Sequence, residues 1–482
     1  MAGACRIDPG RVSVDGWLRV VFSWYPAGKK GPRNLLLGGK ECRLRSKWER
    51  LRELAVQREL EGMPRYMVEA EPESPVVLRR ERQSQRSEGI EYVPGTQVRG
   101  AFARIYLWQR GEADATFQRI FAEGGQCRFG PLDPGNAYFP KTAYSCKRVP
   151  GFKVNSQRGD GGHGVVDLLP VIARWSLTGQ SPRPVRCRQC DHDLKPMTGF
   201  YFRAPDGTWS DLRHRWRRLA MAHVGIERIF GTAAESIFFH LPALEPNPES
   251  TDDSPAPVLY GWIDTEREII ELLQELLRAE GNVLRIGHAR TRGYGRLKVR
   301  IHDQPLENAS DWEEWNRSFL EYLGPGLDPE NDFLFTLDFP TGAILVDDLL
   351  RYTVDPSQMV PWLPRLGTQS PGRSPRQISR VDFASGEIQF VAAVTQHERV
   401  RGWNFAHGLP RTDEWMVCRG AVYAYLYRGN SQGKQELVDR LWNLQNHGVG
   451  IRRPEGFGAV VINDPFHVQF GASGRNGEEV EP

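Results

Sequence analysis

One pattern occurs twice in this chain, and few architectures accommodate it. The stretch from Leu284 to Arg300 follows a helical run, Thr265 to Glu280, and ends in the alternating Leu297 and Val299 of a strand. Between them lies a turn in which Gly287, Gly293 and Gly295 are interleaved with His288, Arg290, Arg292, Tyr294 and Arg296. Glycines let a backbone approach a ligand closely, and arginines beside exposed amides make a cradle for phosphate oxygens. Tyr294 offers a face for a base. The second copy, His447 to Val461, follows the helical run Lys434 to Asn446 and leads into the apolar strand Ala459 to Ile462. There Gly448, Gly450, Gly456 and Gly458 bracket Arg452 and Arg453, and Phe457 takes the place of Tyr294. A repeat of helix, basic Gly-rich turn and strand implies two similar domains in tandem.

A chain of 482 residues has room for two or more cores. Net charge is only +3, so any nucleic-acid surface must be local. Seven Cys in no evident even framework argue against a secreted disulfide scaffold. With no apolar run long enough to span a membrane and no signal peptide, the expected location is the cytoplasm.

Taken in order, Val12 to Trp24 alternates as a first strand, Lys29 to Gly39 is loop and Ser46 to Glu61 is helical. Pro75 to Leu78 is a short strand, and Arg79 to Gly89 is polar loop. At Pro94–Gly95 a turn precedes a helix for which Thr96 is the expected N-cap, with Val98, Phe102, Ile105 and Tyr106 on one face. A helix start with Arg99 and Gly100 in its first turn suits an anion. The run Asp211 to Ile229 holds Arg213, Arg215, Arg217, Arg218 and Arg228, either a solvated charged face or a nucleic-acid contact. Thr232 to His240 and Val258 to Ile263 read as strands flanking a hairpin tip, Glu245 to Pro257.

A Cys- and Gly-rich insertion spans about 120 to 200. Cys187 and Cys190 form a CxxC turn, the thiolate half of a zinc knuckle. Cys146 and His163 are the nearest candidates for the other half, with Cys127 and His192 in reserve. Four protein ligands would close the metal, making it structural.

A boundary falls near 305 to 330. Beyond it come a strand (Phe333 to Phe339), a short helix (Ile344 to Leu350), a Pro-rich loop (Pro356 to Arg376) and strands at Ile378 to Phe383, Glu387 to Val394 and Trp415 to Leu426. With the helix, Gly-rich loop and strand that follow, this is the order of a ferredoxin-like βαββαβ unit. The expected fold is therefore α+β. It comprises two tandem ferredoxin-like (RRM-like) domains, 1–325 and 330–470, with a zinc-knuckle insertion at about 120–200, a hairpin insertion at about 232–263 and a disordered tail, 471–482.

Three stretches together resemble the RAMP proteins of CRISPR effector complexes: "PGTQVRGAFA" at the first helix, "RIGHARTRGYGRLKV" at the first Gly-rich loop, and the Cys146, His163, CxxC arrangement with "TAAESIFF" and "LYGWI". The combination resembles the Csx-ten type, a Cas-five-like subunit of type III-D complexes. The resemblance implies a non-catalytic antiviral subunit that binds the 5′ repeat-derived tag of the guide RNA (crRNA). It would touch the large polymerase-like subunit and the backbone RAMP subunits, and meet target RNA only indirectly. The implied RNA contacts are Gly95, Thr96 and Arg99, the first loop (Gly287, His288, Arg290, Arg292, Gly293, Tyr294, Gly295, Arg296) and the second (Arg452, Arg453, Gly456, Phe457, Gly458). The implied structural Zn2+ is held by Cys146, His163, Cys187 and Cys190. The alternative is a Cas-six-like, metal-independent endoribonuclease that processes repeat RNA. It needs a general base and an acid, for which His288, Tyr294 and His447 are available. No second His stands near the first helix in sequence to complete such a pair.

Overall fold

The computed structural model describes Arg6–Ile7, Phe22–Ser23 and residues 63–472 except 79–88, 123–124, 154–160, 181, 183, 205–207, 213–215, 248–256, 307–310, 325, 367–377, 381–385 and 405–408. Contacts divide the chain into two compact units, Met1–Arg58 and Glu59–Pro482. In the first, Arg6–Ile7 pairs antiparallel with Phe22–Ser23. The rest of the expected strand at Val12 to Trp24, the loop Lys29 to Gly39 and the helix Ser46 to Glu61 lie outside the described residues, as do nearly all of Arg79 to Gly89 and of the tail.

The second unit begins with a strand that the sequence reading passed over. Arg65–Pro72 (β1) buries Tyr66, Val68 and Ala70 on alternate positions, the two-residue period of a strand with one covered face. Val76–Val77 (β2) follows, then the helix Gly95–Arg110 (α1). Its N-cap is Pro94, without a side-chain cap, so Thr96 lies inside the first turn and is not the cap. Packing sets this start: a Cβ on Gly95 would sit 2.2 Å from the Phe129 carbonyl oxygen. The helix buries Val98, Ala101, Phe102, Ile105 and Tyr106. Ala115–Phe121 (α2), capped by the Asp114 side chain, leads to Arg128–Phe129 (β3).

The insertion then forms a small sheet from Ala143–Cys146 (β4), Val165–Asp167 (β5) and, beyond the helix Leu169–Thr178 (α3), Leu194–Pro196 (β6), in the order β5-β4-β6. The basic run becomes half of a long hairpin: Trp216–Ile226 (β7) pairs with Ala233–Pro246 (β8) from Trp216 opposite Pro246 to Ile226 opposite Ala233. The hairpin expected at 232–263 is thereby corrected. Leu259–Asp264 (β9) leaves β8 and pairs with β1 and β3 instead. Arg267–Ala279 (α4) buries Ile269, Ile270, Leu273, Leu276 and Leu277, one stripe at helical spacing. Val283–Arg285 (β10) and Arg296–Pro305 (β11) complete an antiparallel sheet ordered β10-β11-β1-β9-β3, whose core is shared with α1 and α4.

After Trp312–Leu323 (α5) comes Asp332–Phe339 (β12), buried on both faces. The expected helix at Ile344 to Leu350 is absent. Leu345–Val346 (β13) pairs with Tyr352–Thr353 (β14), and Leu350 sits in the left-handed region at φ 59°. The run Ala343 to Val346 is apolar and wholly buried, a pattern that periodicity cannot assign to helix or strand. Ile378–Arg380 (β15) and Glu387–Val394 (β16) follow. The strand expected over Trp415 to Leu426 is two, Glu414–Val417 (β17) and Ala421–Arg428 (β18), broken at Gly420 with φ +76°. Ser431–His447 (α6), Val461–Ile462 (β19) and Pro465–Gln469 (α7) end the described chain.

The second sheet runs β15-β16-β18-β12-β19, again antiparallel. Without the edge strands β10 and β15, both sheets read fourth, first, third, second in chain order. The architecture is mixed α+β. One face of the second sheet packs on Leu437 and Leu441 of α6, the other on Phe319 and Leu320 of α5 and on Leu169 and Ala173 of α3. The insertion thus contributes a helix to the second core, and the junction near 305–330 lies within one compact unit.

Candidate functional sites

The two Gly-rich loops follow the same backbone course, position for position. In the first, Gly287, Ala289, Gly293 and Gly295 have positive φ around a single 3-10 turn, Arg290–Arg292. In the second, Gly450, Arg452, Gly456 and Gly458 do so around Arg453–Glu455. Matching hydrogen bonds close them: Ile286 N–H to Gly295 O and Val449 N–H to Gly458 O, each 2.8 Å. A Cβ on Gly295 or Gly458 would lie 1.8 Å from the Ile286 or Val449 carbonyl oxygen, so both positions demand glycine.

Their surroundings differ. The first loop rests on β2 and the long hairpin. The His288 and Gly295 N–H groups donate to the Val77 and Pro75 carbonyls, each 2.9 Å. Tyr294 packs half-buried against Val77, Leu241 and Ala243, with its hydroxyl 3.4 Å from His223 Nε2. Arg296 pairs with Glu73 at 2.8 Å. Arg285, Arg292 and Gly293 are exposed, and Arg292 lies over the Phe239 ring at 5.6 Å. Partial burial, with the charge of Arg104 on α1 adding to it, lowers the Arg290 guanidinium from the ordinary arginine value. Among the described residues, Arg104, Arg285, Arg290 and Arg292 form no ion pair.

The second loop is enclosed within the unit. Glu455, 6 % exposed, accepts from Arg99 at 3.0 Å and Arg411 at 3.1 Å, and pairs with Arg452. Burial alone would raise its carboxyl; Arg452, Arg411 and Arg99 outweigh that and hold it below the usual glutamate range. Arg452 also pairs with Glu414 and lies over Phe457 at 5.0 Å. Arg453, lowered by burial and by nearby Arg128, donates to the His447 carbonyl at 3.2 Å. A Cβ on Gly456 would meet the Phe129 carbonyl at 2.5 Å. The site residues read from sequence therefore separate into two groups. Gly95, Thr96 and Arg99 of α1 come together with the second loop at an internal interface, whereas the first loop stands apart beside Arg104.

Two further contacts tie this interface. Arg128 donates to the His447 carbonyl at 2.6 Å and pairs with buried Asp264. Arg419 donates to Asp133 at 3.0 and 2.5 Å from within a ring of Tyr92, Tyr138 and Phe200, 4.3 to 5.0 Å away. Below the insertion, His467 is fully buried between Asp167 (2.7 Å) and Asp338 (2.8 Å). Burial opposes its protonation, but the two carboxylates prevail and push its pKa well above the ordinary histidine value.

The insertion does gather the expected thiol cluster. The ligand atoms of Cys146, His163, Cys187 and Cys190 all lie within 4.8 Å of one another. His163 Nδ1 is 3.2 Å from Cys190 Sγ and 3.5 Å from Cys187 Sγ, and Cys146 Sγ is 3.5 Å from Cys190 Sγ. Burial works against the Cys146 thiolate, but the Val149 and Arg148 backbone N–H groups bring it down to about 6. Such a thiolate-rich, closed cluster can hold a metal ion. The reserves are elsewhere. Cys127 is in the first core with its thiol pushed up by burial, and His192 is exposed with Nδ1 at the Cys190 carbonyl.

The sequence reading missed Arg104, the exposed Trp108 and the meeting of His223 with Tyr294. Helical spacing signals the first two, whereas the third follows only from the hairpin register. No helix of the described residues is long and apolar enough to cross a membrane.

Residues 69–298 match the family model of the RAMP superfamily, a stretch that includes the first loop and stops short of the second. No functionally curated protein matches the chain. Among solved structures, the chain is similar to a chain of the type III-B Cmr-beta complex bound to cognate target RNA and AMPPnP (10% identity, 78% of this chain, 88% of that one, TM-score 0.35). It is also similar to a chain of the Csm3–Csm4 subcomplex of the type III-A CRISPR-Cas interference complex (11% identity, 74% and 92%, TM-score 0.29). A third is oligomeric Cmr4 from Pyrococcus furiosus (14% identity, 50% and 98%, TM-score 0.22).

Proposed function

From a RAMP superfamily match over residues 69–298, we propose that this chain is a non-catalytic subunit of a type III CRISPR RNA-guided effector complex. In this reading it is a Csx-ten-type, Cas-five-like subunit of a type III-D complex. It grips the 5′ repeat-derived tag of the crRNA with its first Gly-rich loop and anchors the large polymerase-like subunit and the first backbone subunit. The two sheets with fourth-first-third-second strand order are read as tandem ferredoxin-like domains. One observation carries the assignment of the loop. Arg104, Arg285, Arg290 and Arg292, at and beside the first loop, have no carboxylate partner among the described residues, whereas Arg99, Arg411 and Arg452 all pair with Glu455 at the second. Unpaired guanidiniums beside backbone amides suit phosphate oxygens, and a single-stranded tag needs neither metal nor acid/base pair for recognition.

Cys146, His163, Cys187 and Cys190 fit a structural Zn2+: three thiolates and one imidazole converge, leaving no open ligand position. The metal would fasten the insertion and take no part in RNA chemistry.

The test is to co-express the chain with its neighbouring genes and a repeat-spacer array, purify through it and sequence the bound RNA. Small RNAs with one uniform repeat-derived 5′ end, lost on replacing Arg290 and Arg292 by Ala, are expected. An assembled complex devoid of RNA would overturn the reading.

A second reading, metal-independent cleavage of repeat RNA, draws support from His223 Nε2 at 3.4 Å from the Tyr294 hydroxyl beside the first loop. A base and an acid within such reach are what the reaction requires. Accumulation of uncut precursor RNA with His223→Ala or His288→Ala, in a chain that still binds RNA, would replace the non-catalytic reading with this one.

A further inference from the structure

Helix α1 turns one face into the first core and leaves the other uncovered. Gly100 and Arg104 are exposed, and Trp108 is 83 % exposed with Leu107 at 39 % beside it. Successive positions four apart on a helix turn about 40° and rise about 6 Å, so Gly100, Arg104 and Trp108 form one row about 12 Å long. The helix packs beside β10, the strand that leads into the first Gly-rich loop, and the charge of Arg104 reaches Arg290 in that loop. Neither arginine has a carboxylate partner among the described residues. A Cβ on Gly100 would meet nothing within 4 Å, and Gly100 is not among the positive-φ residues, so nothing inside the fold asks for glycine there. A tryptophan left in water at the end of such a row is a large aromatic surface that stacks on no ring or cation among the described residues.

We propose that the row Gly100, Arg104 and Trp108 continues the phosphate-binding surface of the first loop, and that the Trp108 indole is a stacking platform for one base of single-stranded RNA. The proposal rests on the reading of that loop as the RNA grip. Charge decides the occupant: guanidiniums without carboxylates face a polyanion, and an indole stacks on any base without reading its sequence. The smooth, side-chain-free surface at Gly100 lets the sugar-phosphate chain lie close to the helix.

The experiment measures binding of a short fluorescein-labelled, repeat-derived single-stranded RNA to the full chain by anisotropy. The variants are Trp108→Ala, Trp108→Phe, Arg104→Ala and the Arg290→Ala/Arg292→Ala pair. Loss of one stacked base raises Kd about five- to 150-fold. Trp108→Ala is expected in that range, with Trp108→Phe restoring most of the affinity, and Arg104→Ala is expected to flatten the salt dependence by about one phosphate contact. If the loop pair loses RNA while Trp108→Ala binds as the parent does, the platform is refuted and the loop reading stands. If the parent chain binds no RNA, or the loop pair is indifferent, the loop reading fails and takes the platform with it. If Trp108→Ala keeps RNA but no longer co-purifies with the other subunits, the face is a protein interface and the proposal is overturned.

Discussion

Replacing Glu455 by Gln removes one negative charge from a site where three guanidiniums converge. In the folded chain the carboxylate is 6 % exposed and accepts from Arg99, Arg411 and Arg452. Breaking a buried charge pair costs about 3–5 kcal/mol, chiefly because the remaining charges stay desolvated and unpaired. Arg411 is 36 % exposed and Arg99 17 %, so solvent screens part of the repulsion, and the lower end of that range, about 3 kcal/mol, is expected. The pH dependence has a definite sign. The folded carboxyl lies below its ordinary value, so its contribution is complete above the unfolded glutamate value of about 4.3 and is lost as pH falls through the lower folded value. Urea titrations of parent and Glu455→Gln at pH 7 should differ by about 3 kcal/mol, and the gap should close toward pH 3. A variant within about 0.5 kcal/mol of the parent at pH 7 would refute the claim that the second loop is an internal clamp. A variant that instead lost RNA without losing stability would return that loop to the RNA surface.

Gly458→Ala should destabilise by well over 1 kcal/mol, because its Cβ collides with a backbone oxygen at positive φ, whereas Gly100→Ala should stabilise the free chain by about 0.5–1 kcal/mol; urea midpoints of the two variants should move in opposite directions. Chelation should release about one Zn2+ per chain from native protein and none from Cys187→Ser/Cys190→Ser, with amide exchange rising in residues 143–197; protein free of metal as isolated, and indifferent to added zinc, would sink that site. His467→Gln leaves Asp167 and Asp338 facing each other in the core and should cost about 3–5 kcal/mol. Because the folded imidazole is raised, this contribution is full below about pH 6.5 and fades only as pH climbs through the folded value, so the stability gap to the parent should narrow in alkaline buffer.

Local pattern made some of this visible in advance. The glycines of both loops are spaced for the turn they adopt, and the stripe of α4 announces its buried face. Cys187 and Cys190 are close in sequence, so half of the thiol cluster needs no fold to find it; Cys146 and His163 join it, whereas His192, only two residues from Cys190, does not. Other features depend on partners distant in the chain. Counting arginines cannot tell Arg452, paired with Glu455 and Glu414, from Arg292, which has no carboxylate partner among the described residues. Sequence alone does not place the hairpin of β7 and β8, because two apolar runs, at 232–240 and 258–263, are equally good strands and only pairing decides that the second belongs beside β1. In β1 itself the alternation of Tyr66, Val68 and Ala70 was present, but it is short and interspersed with charge between Pro64 and Pro72.

The place of α3 bears on how the chain comes to be folded. Leu169 and Ala173, made early in synthesis, complete a core whose other walls are Phe319 of α5 and Leu334, Val422 and Leu426 of the second sheet. Until α5 and those later strands emerge from the ribosome, the apolar face of α3 lacks the partners that cover it in the folded chain. Cutting the gene near residue 325 would leave both fragments exposing apolar surface, one keeping α3 and α5 and the other the sheet face on which they pack. Mixing the two fragments should then restore solubility that neither has alone.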